Sequence, residues 1–359
     1  INTLLCQSQP SAPPLPVFHH NNPGTRKARL VACGYSQVQG VDFFDISSPV
    51  AGKDSIRTLF AVAAQKNLFM LQYDFEKAYI NADLDTIVYM QPPDGFAELL
   101  ADFLTPEQIT LLNSGNAVLK LNKALYGLKQ SGLLWFIELR DFFISIGFKQ
   151  CESDPCVFFD SQGNFTFVHV DDGILFADTE TTATAILETM KQRYSIKCLG
   201  QPKNVLGLSI ERYTNGDIFV HQRNYCQSMG KTYTPGVPAK ATPMIAGAAL
   251  NPDSPPGDNH VYAEMIGTLL FAATSTRPDI ACAASMESRF MQEPSKAHVA
   301  FARNTIGYTA ATADYGLLFK SAPELKIEVY CDASFAGDEH ERRSRSGYFT
   351  AINGTPVSW

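Results

Sequence analysis

The stretch FTFVHVDDGILFAD, residues 165–178, places two adjacent carboxylates between two apolar, strand-like runs. Short runs rich in aromatic and β-branched residues are typical of β-strands. Neighbouring residues of a strand point to opposite faces, so two carboxylates that act together belong at a tight turn. The pattern therefore predicts a β-hairpin, formed by 165–170 and 173–178, with Asp171 and Asp172 at its tip.

These two carboxylates have two interpretations. Clustered carboxylates repel each other at neutral pH unless a cation neutralises them, and Mg²⁺ and Mn²⁺ prefer oxygen ligands. Asp74 closes the strand-like run LFMLQYDF, 68–75, and is the natural third ligand. Three carboxylates that hold two metal ions would suit phosphoryl or nucleotidyl transfer. The other interpretation is a solvated turn, because Asp is favoured in turns.

Composition and charge limit the class of protein. The 359 residues are 45% hydrophobic and 18% charged, which indicates a globular fold with a substantial core. No apolar run reaches the roughly 18 residues of a membrane helix. The formal net charge of −7 weakens a nucleic-acid-binding hypothesis, but a basic groove can coexist with an acidic exterior. The eight cysteines have no zinc-like spacing, so we expect reduced thiols.

The beginning of the chain is a loose lead-in. Residues 1–25 lack a positively charged start followed by an apolar stretch, so we expect no signal peptide. Because the first residue is Ile1 rather than Met, we expect the sequence to be part of a longer protein.

Composition and periodicity divide the chain into five segments. A break at 234–258 is marked by six prolines and is predicted to be a linker. The predicted segments are the lead-in (1–25), a mixed α+β region (26–233), the linker (234–258), a helical region (259–325) and a strand-like tail (326–359).

Local signals predict individual elements within these segments. Thr105, Pro106 and Gln108 form the signature of a capped helix start, with Gln108 completing a capping box. Asp54 is a candidate helix cap. The predicted helices are 53–67, 105–113, 132–148, 181–194, 260–275, 277–291 and 294–312, and the predicted strands include 27–37, 68–75 and a hairpin over 205–222 that turns at Asn215-Gly216.

Nine blocks in fixed order resemble the reverse transcriptase of Ty1/copia-type retrotransposons, which is a segment of a Pol polyprotein. The blocks extend over about residues 26–359 and are KARLVACGYSQVQGVDF, SSPVAGKDSIR, LQYDFEKAYINADLDTIVYMQPPDGF, LNKALYGLKQSGLLWF, GFKQCESDPCVFF, HVDDGILFA, LGQPKNVLGLSIER, YAEMIGTLLFAATSTRPDIACA and YCDASFAGDEHERRSRSGYFTAINGTPVSW. Each block is weak alone, but nine in order are not a chance match.

The resemblance implies an α+β right-hand polymerase with an antiparallel palm sheet. Fingers and palm would occupy 26–233, and a helical thumb or connection region 259–325. The tail, 326–359, resembles the truncated start of an α/β ribonuclease H-like domain. Its Asp332 matches a first catalytic aspartate, and one carboxylate cannot hold two ions, so we expect this part to be inactive.

The implied function is that of an RNA-directed DNA polymerase, a nucleotidyltransferase of transposition and DNA integration. It would use two Mg²⁺ or Mn²⁺ ions to join a deoxynucleoside triphosphate to a primer 3′-hydroxyl. The implied partners are an RNA template, a DNA or RNA primer and deoxynucleoside triphosphates, with no membrane. The resemblance places such proteins in cytoplasmic particles or the nucleus. The sequence itself predicts neither localisation nor oligomeric state.

The resemblance also implies roles for single residues. Asp74 and Asp171 match the metal-binding aspartates, and Asp172 matches the adjacent supporting carboxylate. Tyr79 falls where the family has an aromatic gate that excludes the ribose 2′-hydroxyl, although it could be a core residue.

Basic and polar residues are the remaining candidates. Lys27 and Arg29 match the fingers hairpin that grips the triphosphate, because both cations suit phosphate; alternatively they are solvated residues of a strand edge. Lys129 and Gln130 resemble the segment that lines the nucleotide and template pocket, or they simply begin the following helix. Trp135 is predicted to be a core residue.

Four departures from the family pattern favour an alternative function. Cys33 stands where the family has Arg, 131–133 replaces small-Pro-Arg, His169 replaces Tyr or Phe, and 307–312 replaces a pattern like RYLKGT. The alternative is a catalytically inactive remnant of a decayed element that retains the fold.

Overall fold

A computed structural model describes residues 4–6, 14–21, 25–236, 238, 240–244, 254–335 and 344–359, and for residues up to 28 it describes only the backbone. The chain forms two compact units. The first comprises Ile1–Ala51, Gln72–Leu175 and Thr184–Leu199, and the second comprises Gly52–Leu71, Phe176–Ala183 and Gly200–Trp359. Both units contain helices and strands, so the fold is mixed α+β, as predicted.

In the described residues, runs of consecutive strands are separated by one or two α-helices, except that four α-helices follow one another over 223–311. The strands are β1 (Leu4–Cys6), β2 (Pro14–Asn21), β3 (Thr25–Ala32), β4 (Phe69–Phe75), β5 (Asp83–Met90), β6 (Ala117–Lys123), β7 (Lys149–Gln150), β8 (Val157–Phe159), β9 (Phe165–His169), β10 (Asp172–Ala177), β11 (Ile196–Gly200), β12 (Asn204–Val205), β13 (Leu208–Arg212), β14 (Ile218–His221), β15 (Gly316–Phe319), β16 (Ile327–Ser334), β17 (Arg345–Ile352) and β18 (Thr355–Ser358). The α-helices are α1 (Lys53–Gln65), α2 (Phe96–Leu99), α3 (Pro106–Asn113), α4 (Ser131–Ser145), α5 (Glu180–Lys191), α6 (Arg223–Tyr233), α7 (Asn259–Ser275), α8 (Ala281–Ser288) and α9 (Lys296–Ala311).

A six-stranded sheet positions the site. Its strand order is β11-β4-β10-β9-β8-β7, so β4 and β10 are neighbours inside the sheet. Two smaller sheets, β1-β6-β5 and the antiparallel pair β2-β3, also belong to the first unit. The end of β4 and the start of β10 therefore lie side by side, although they are remote in the chain.

An aromatic cluster packs α4 against β4 in the first unit. The ring of Trp135 lies 5.2 Å from that of Phe75 and 5.5 Å from that of Tyr194, both in edge-on geometry. Edge-to-face aromatic pairs stabilise beyond the area they bury. Trp135 is only 1% exposed, which confirms that it is a core residue.

The second unit contains an apolar helical core around a buried arginine. Met265, Ile266 and Leu269 of α7 are fully buried in this core. The Arg277 side chain is buried, forms an ion pair with Asp279 at 2.7 Å and donates hydrogen bonds to main-chain oxygens that include that of Thr312. Buried charges are tolerated when they are paired in this way. Two further sheets, β12-β13-β14-β15 and β16-β17-β18, complete the unit.

Most predicted elements are confirmed, with shifted ends. The capping box of α3 is present: the backbone N–H of Gln108 donates to Thr105 Oγ1, and the backbone N–H of Thr105 donates to Gln108 Oε1. The prediction that Asp54 caps α1 is wrong: Gly52 is the cap, and Asp54 lies in the first turn paired with Arg57. The hairpin tip is also shifted, because β9 ends at His169 and β10 begins at Asp172.

The predicted segment boundaries do not coincide with the two units, since 200–233 lies in the second. The functional assignment of fingers, palm, thumb and ribonuclease H start therefore stays a prediction. Much of the predicted linker, including 245–253, lies outside the described residues. None of the helices in the described part of the chain is long and apolar enough to cross a membrane.

Candidate active site

The β9–β10 turn consists of Val170 and Asp171, and Val170 has a left-handed backbone with φ of 62°. This conformation is a true outlier for a β-branched residue, and such strain persists only where the surroundings hold it. The indole Nε1 of Trp135 donates a hydrogen bond of 2.7 Å to the carbonyl oxygen of Val170. The buried indole of Trp135 on α4 thus stabilises the strained turn that contains Asp171.

Gly173 allows β10 to lie tightly against β4. A Cβ at this position would lie 2.3 Å from the ring of Tyr73. That ring cannot move aside, because Tyr73 is fully buried and its hydroxyl is bonded to Thr166 Oγ1 at 2.7 Å. The backbone N–H of Phe75 donates to the Asp171 carbonyl oxygen at 2.8 Å. Because Phe75 directly follows Asp74, this hydrogen bond also holds Asp74 next to the turn.

The three aspartates lie within electrostatic reach of one another. Burial, followed by the charges of Asp171 and Asp74, raises the pKa of Asp172 to about 6. All three side chains are half-buried at the turn. Because a raised carboxylate pKa reflects unrelieved burial and like-charge repulsion, the site would gain from a cation.

The donor chemistry of this group fits a hard divalent ion. Carboxylate oxygens are the ligands that Mg²⁺ and Mn²⁺ prefer. Within the described ranges, however, no group of three or more His, Cys, Asp or Glu side chains is already arranged around a common metal position. The assignment of Asp74 and Asp171 as metal ligands thus stays a prediction.

Tyr79 lies beside this group, and the structure adds a residue that sequence reasoning missed. The rings of Tyr79 and Tyr126 are 4.6 Å apart between centroids. Burial and then the charge of Asp171 raise the pKa of both hydroxyls. The guanidinium of Arg29 lies 5.4 Å from the Tyr126 ring centroid. Tyr126 lies inside the quoted block LNKALYGLKQSGLLWF, but nothing in its spacing linked it to Tyr79.

The backbone of Tyr126 is fixed by close packing against β3. Ala32 donates its N–H to the Tyr126 carbonyl at 2.8 Å. The next residue, Gly127, has φ of +92°, and a Cβ there would lie 2.0 Å from the Ala32 oxygen. Only glycine fits such an approach with a left-handed backbone.

Gln130 and Lys129, both predicted to bind substrate, differ in position. Gln130 is fully buried: its Oε1 accepts from Gln37 at 3.0 Å and its Nε2 donates to the Asp42 carbonyl at 2.9 Å. In this structure its amide joins α4 to the 37–42 loop. Lys129 is exposed, and its Nζ lies 4.8 Å from the Phe43 ring centroid.

His169 is half-buried at the end of β9. Burial lowers the pKa of its imidazole, and the neighbouring Asp171 partly opposes this. Its Nδ1 is buried without a hydrogen-bond partner among the residues that the structure describes. The ring is therefore neutral at pH 7, and it supplies no charge to balance the aspartates.

Two predicted site residues are not grouped with the others. The backbone of Lys27 lies in β3, paired with His19, and its side chain is outside the described part of the structure. Asp332 lies exposed in β16 of the second unit and accepts a hydrogen bond from the adjacent Ala333 N–H at 2.8 Å. Its assignment to a ribonuclease H start stays a prediction.

The chain belongs to the reverse transcriptase (RNA-dependent DNA polymerase) family, whose model matches residues 16–246. Its relatives show that it is the Ty1/copia-type reverse transcriptase region of a Pol polyprotein, which confirms the resemblance of the nine blocks. The chain is 31% identical over 345 residues to the retrovirus-related Pol polyprotein from transposon RE1 of Arabidopsis thaliana, covering 93% of the chain and 22% of that polyprotein. It is 30% identical over 292 residues to the putative transposon Ty5-1 protein of Saccharomyces cerevisiae, covering 80% of the chain and 91% of that protein.

Among solved structures, the foamy viral protease-reverse transcriptase in complex with double-stranded DNA matches with a TM-score of 0.46 and 12% identity. The match covers 99% of the chain and 52% of the viral one. The chain spans only 22% to 25% of the length of three plant Pol polyproteins that it matches.

Proposed function

We propose that this chain is the segment that extends a DNA or RNA primer on an RNA template, using deoxynucleoside triphosphates. The observation that carries the proposal is the group formed by Asp74, Asp171 and Asp172 at the strained β9–β10 turn, where burial and then the charges of the other two aspartates raise the pKa of Asp172. Family membership supports the same reaction class. Perturbed carboxylates in a shared site are typical of catalytic centres.

Asp74 and Asp171 would hold two Mg²⁺ or Mn²⁺ ions, and Asp172 would support them as the third carboxylate. When bound, these ions would lower the barrier to attack by the primer 3′-hydroxyl and stabilise the pyrophosphate leaving group. The protein supplies the position of the carboxylates. Trp135 holds the turn through the Val170 carbonyl, and the Phe75 N–H holds the Asp171 carbonyl.

The residues around the carboxylates would bind the nucleotide. Tyr79, beside Asp171, would stack under the deoxyribose and leave no room for a 2′-hydroxyl. Arg29, on β3 beside Tyr126, would contact the triphosphate, since a guanidinium binds phosphate oxygens in pairs. Lys129 is exposed and would have to leave its 3.4 Å bond to the Gln37 carbonyl to reach template or nucleotide phosphates, whereas Gln130 would act through the 37–42 loop.

Primer extension on an RNA template tests the proposal, with Mg²⁺ or Mn²⁺ and all four deoxynucleotides. We expect the unmodified chain to extend the primer and Asp171→Asn to reduce the rate by at least about a hundredfold, because the amide cannot replace the anionic ligand. Asp217→Asn, which changes an aspartate of the β13–β14 turn, is the matched control and should retain activity. Equal rates for the Asp171 and Asp217 variants would contradict the proposed site.

Two observations favour the alternative of an inactive remnant. In the part of the chain that the structure describes, the carboxylates are not prearranged around a metal position, and the neutral His169 replaces the family's Tyr or Phe. A folded chain that extends no primer with either ion would establish this alternative.

A further inference from the structure

We infer that Tyr126, held by Arg29, is a positioning residue that fixes the ring of Tyr79 and thereby sets discrimination between deoxyribonucleotides and ribonucleotides. This inference rests on the proposed polymerase function and deepens it. It assigns a role to a residue that does not itself need to contact the substrate. Removing the Tyr126 ring would change sugar selection rather than abolish the reaction.

Tyr79 needs support from outside its own element. It lies in a one-turn 3₁₀ helix, Ala78–Asn81, which begins after Lys77 in a left-handed conformation. A short 3₁₀ helix has poorer hydrogen-bond geometry than an α-helix. Tyr79 also borders an apolar cavity of about 90 Å³, which Val168 and Phe136 line as well. The ring therefore has space to rotate unless a neighbour holds it.

The Tyr126 ring is that neighbour. The centroid separation of 4.6 Å and the interplanar angle of 57° describe a tilted aromatic contact in van der Waals range. Tyr126 is itself anchored on both sides. Ala32 donates to its carbonyl at 2.8 Å, and Ser131 Oγ donates to the carbonyl of the preceding Leu125 at 2.6 Å.

Arg29 completes the arrangement. Its guanidinium lies over the Tyr126 ring at 5.4 Å from the centroid, within the range of a cation–π interaction. Besides burial, the charges of Asp171 and Asp74 also raise the pKa of the Tyr126 hydroxyl. Arg29 on β3 thus contacts Tyr126, and Tyr126 contacts Tyr79. Tyr79 in turn lies within electrostatic reach of Asp171.

Steady-state incorporation of a single nucleotide tests the specificity role. The readout is the ratio of kcat/KM for a deoxynucleotide to that for the matching ribonucleotide. Tyr126→Leu should lower this ratio by about two- to tenfold, which corresponds to the loss of one aromatic contact, chiefly through a lower KM for the ribonucleotide. Tyr126→Phe keeps the ring and should keep the ratio. Tyr213→Leu, which removes a tyrosine that is 45% exposed in the second unit, is the matched control.

A second measurement does not depend on activity. Fluorine NMR of the full chain labelled with 3-fluorotyrosine reports on the Tyr79 ring, with its resonance assigned by Tyr79→Phe. We expect Tyr126→Leu to shift or broaden this resonance, and Tyr213→Leu to leave it unchanged. A Tyr79 resonance unaffected by Tyr126→Leu, in a chain that keeps its other resonances, overturns the contact.

The outcomes separate the inference from the proposed function. If the unmodified chain incorporates deoxynucleotides but Tyr126→Leu leaves the selectivity ratio unchanged, the inference is wrong and the polymerase proposal stands. If the unmodified chain incorporates nothing while the Tyr79 resonance still responds to Tyr126→Leu, the polymerase proposal fails, and the specificity role fails with it.

Discussion

At the scale of single residues, the most informative position is Val170. Its φ of 62° places a β-branched side chain in a region that only glycine enters without cost. The conformation is maintained because the Trp135 indole donates a hydrogen bond to the Val170 carbonyl. The Phe75 N–H likewise donates to the carbonyl of the next residue, Asp171. The strain sits next to the carboxylate that the proposed reaction needs most, which is where strained backbone clusters in enzymes.

Replacing Val170 separates the backbone strain from side-chain packing. Val170→Ala removes packing but keeps a Cβ at positive φ, whereas Val170→Gly removes both packing and strain. We expect the Gly variant to be more stable than the Ala variant by about 1 kcal/mol, because left-handed backbone costs an L-residue roughly that amount. Urea denaturation of both variants measures the difference. An Ala variant as stable as the Gly variant would show that the turn is relaxed.

At the scale of elements, α8 and α9 share a buried carboxylate. Glu287 of α8 is 4% exposed and accepts a hydrogen bond of 2.6 Å from Thr305 Oγ1 on α9. Its carbonyl accepts from the Tyr262 hydroxyl of α7, while its Oε2 has no hydrogen-bond partner among the described residues. Burial raises the pKa of this carboxyl to about 7, and the Thr305 bond partly opposes the shift. The helix pair therefore favours the protonated acid.

This pKa makes the stability of the second unit depend on pH. Between the unfolded pKa of 4.5 and the folded value of about 7, the folded chain binds a proton that the unfolded chain has released. The contribution of Glu287 to stability is thus full below about pH 4.5 and is lost as the pH rises through 7. We expect Glu287→Gln to be about 3 kcal/mol more stable than the unmodified chain at pH 8 and nearly equal to it at pH 4. Chemical denaturation at the two pH values checks this, and an equal difference at both would refute it.

At the scale of the whole molecule, the second unit is assembled from remote segments of the chain. Arg57 on α1 is 3% exposed and donates to the carbonyls of Val357 and Thr274, both at 2.7 Å. Its guanidinium also lies 4.0 Å from the Trp359 ring centroid. The buried Arg57 guanidinium thus connects α1 to α7 and to β18.

Removing this cation should destabilise the second unit as a whole. Arg57→Met leaves buried carbonyls without donors and removes the contact with Trp359, so we expect a loss of about 3 kcal/mol or more. Arg140→Met is the matched control, because Arg140 forms an exposed pair with Asp141 that is worth at most about 1 kcal/mol. Thermal or urea unfolding of both variants measures the contrast. Similar losses in the two variants would contradict the role of Arg57.

Much of the local structure follows from local sequence. The capping box at Thr105 and Gln108, the hairpin turning at Asn215-Gly216 and the apolar helix around Trp135 each depend on residues a few positions apart. Such signals work because hydrogen bonds and side-chain periodicity within a turn or strand are short-range. The three aspartates are likewise recognisable locally, since each lies beside an apolar, strand-like run.

Other features depend on contacts that no local pattern contains. The sequence placed both aspartates of the pair at the hairpin tip, but the structure makes Val170 and Asp171 the turn and begins β10 at Asp172. Gln130, expected to line the nucleotide pocket, is buried in hydrogen bonds with residues of the 37–42 loop. Sequence spacing shows which residue types are present, whereas their exposure depends on what packs over them.

The amino-acid sequence by itself determined the family, the α+β class and the carboxylates of the candidate site, because these are written in ordered local motifs. Tertiary structure alone decided that Trp135 holds the strained turn and that Gly173 lets β10 approach β4. It also decided that Tyr126 lies between Arg29 and Tyr79. The physical reason is that these contacts join residues far apart in the chain, where close packing and not local propensity selects the partner.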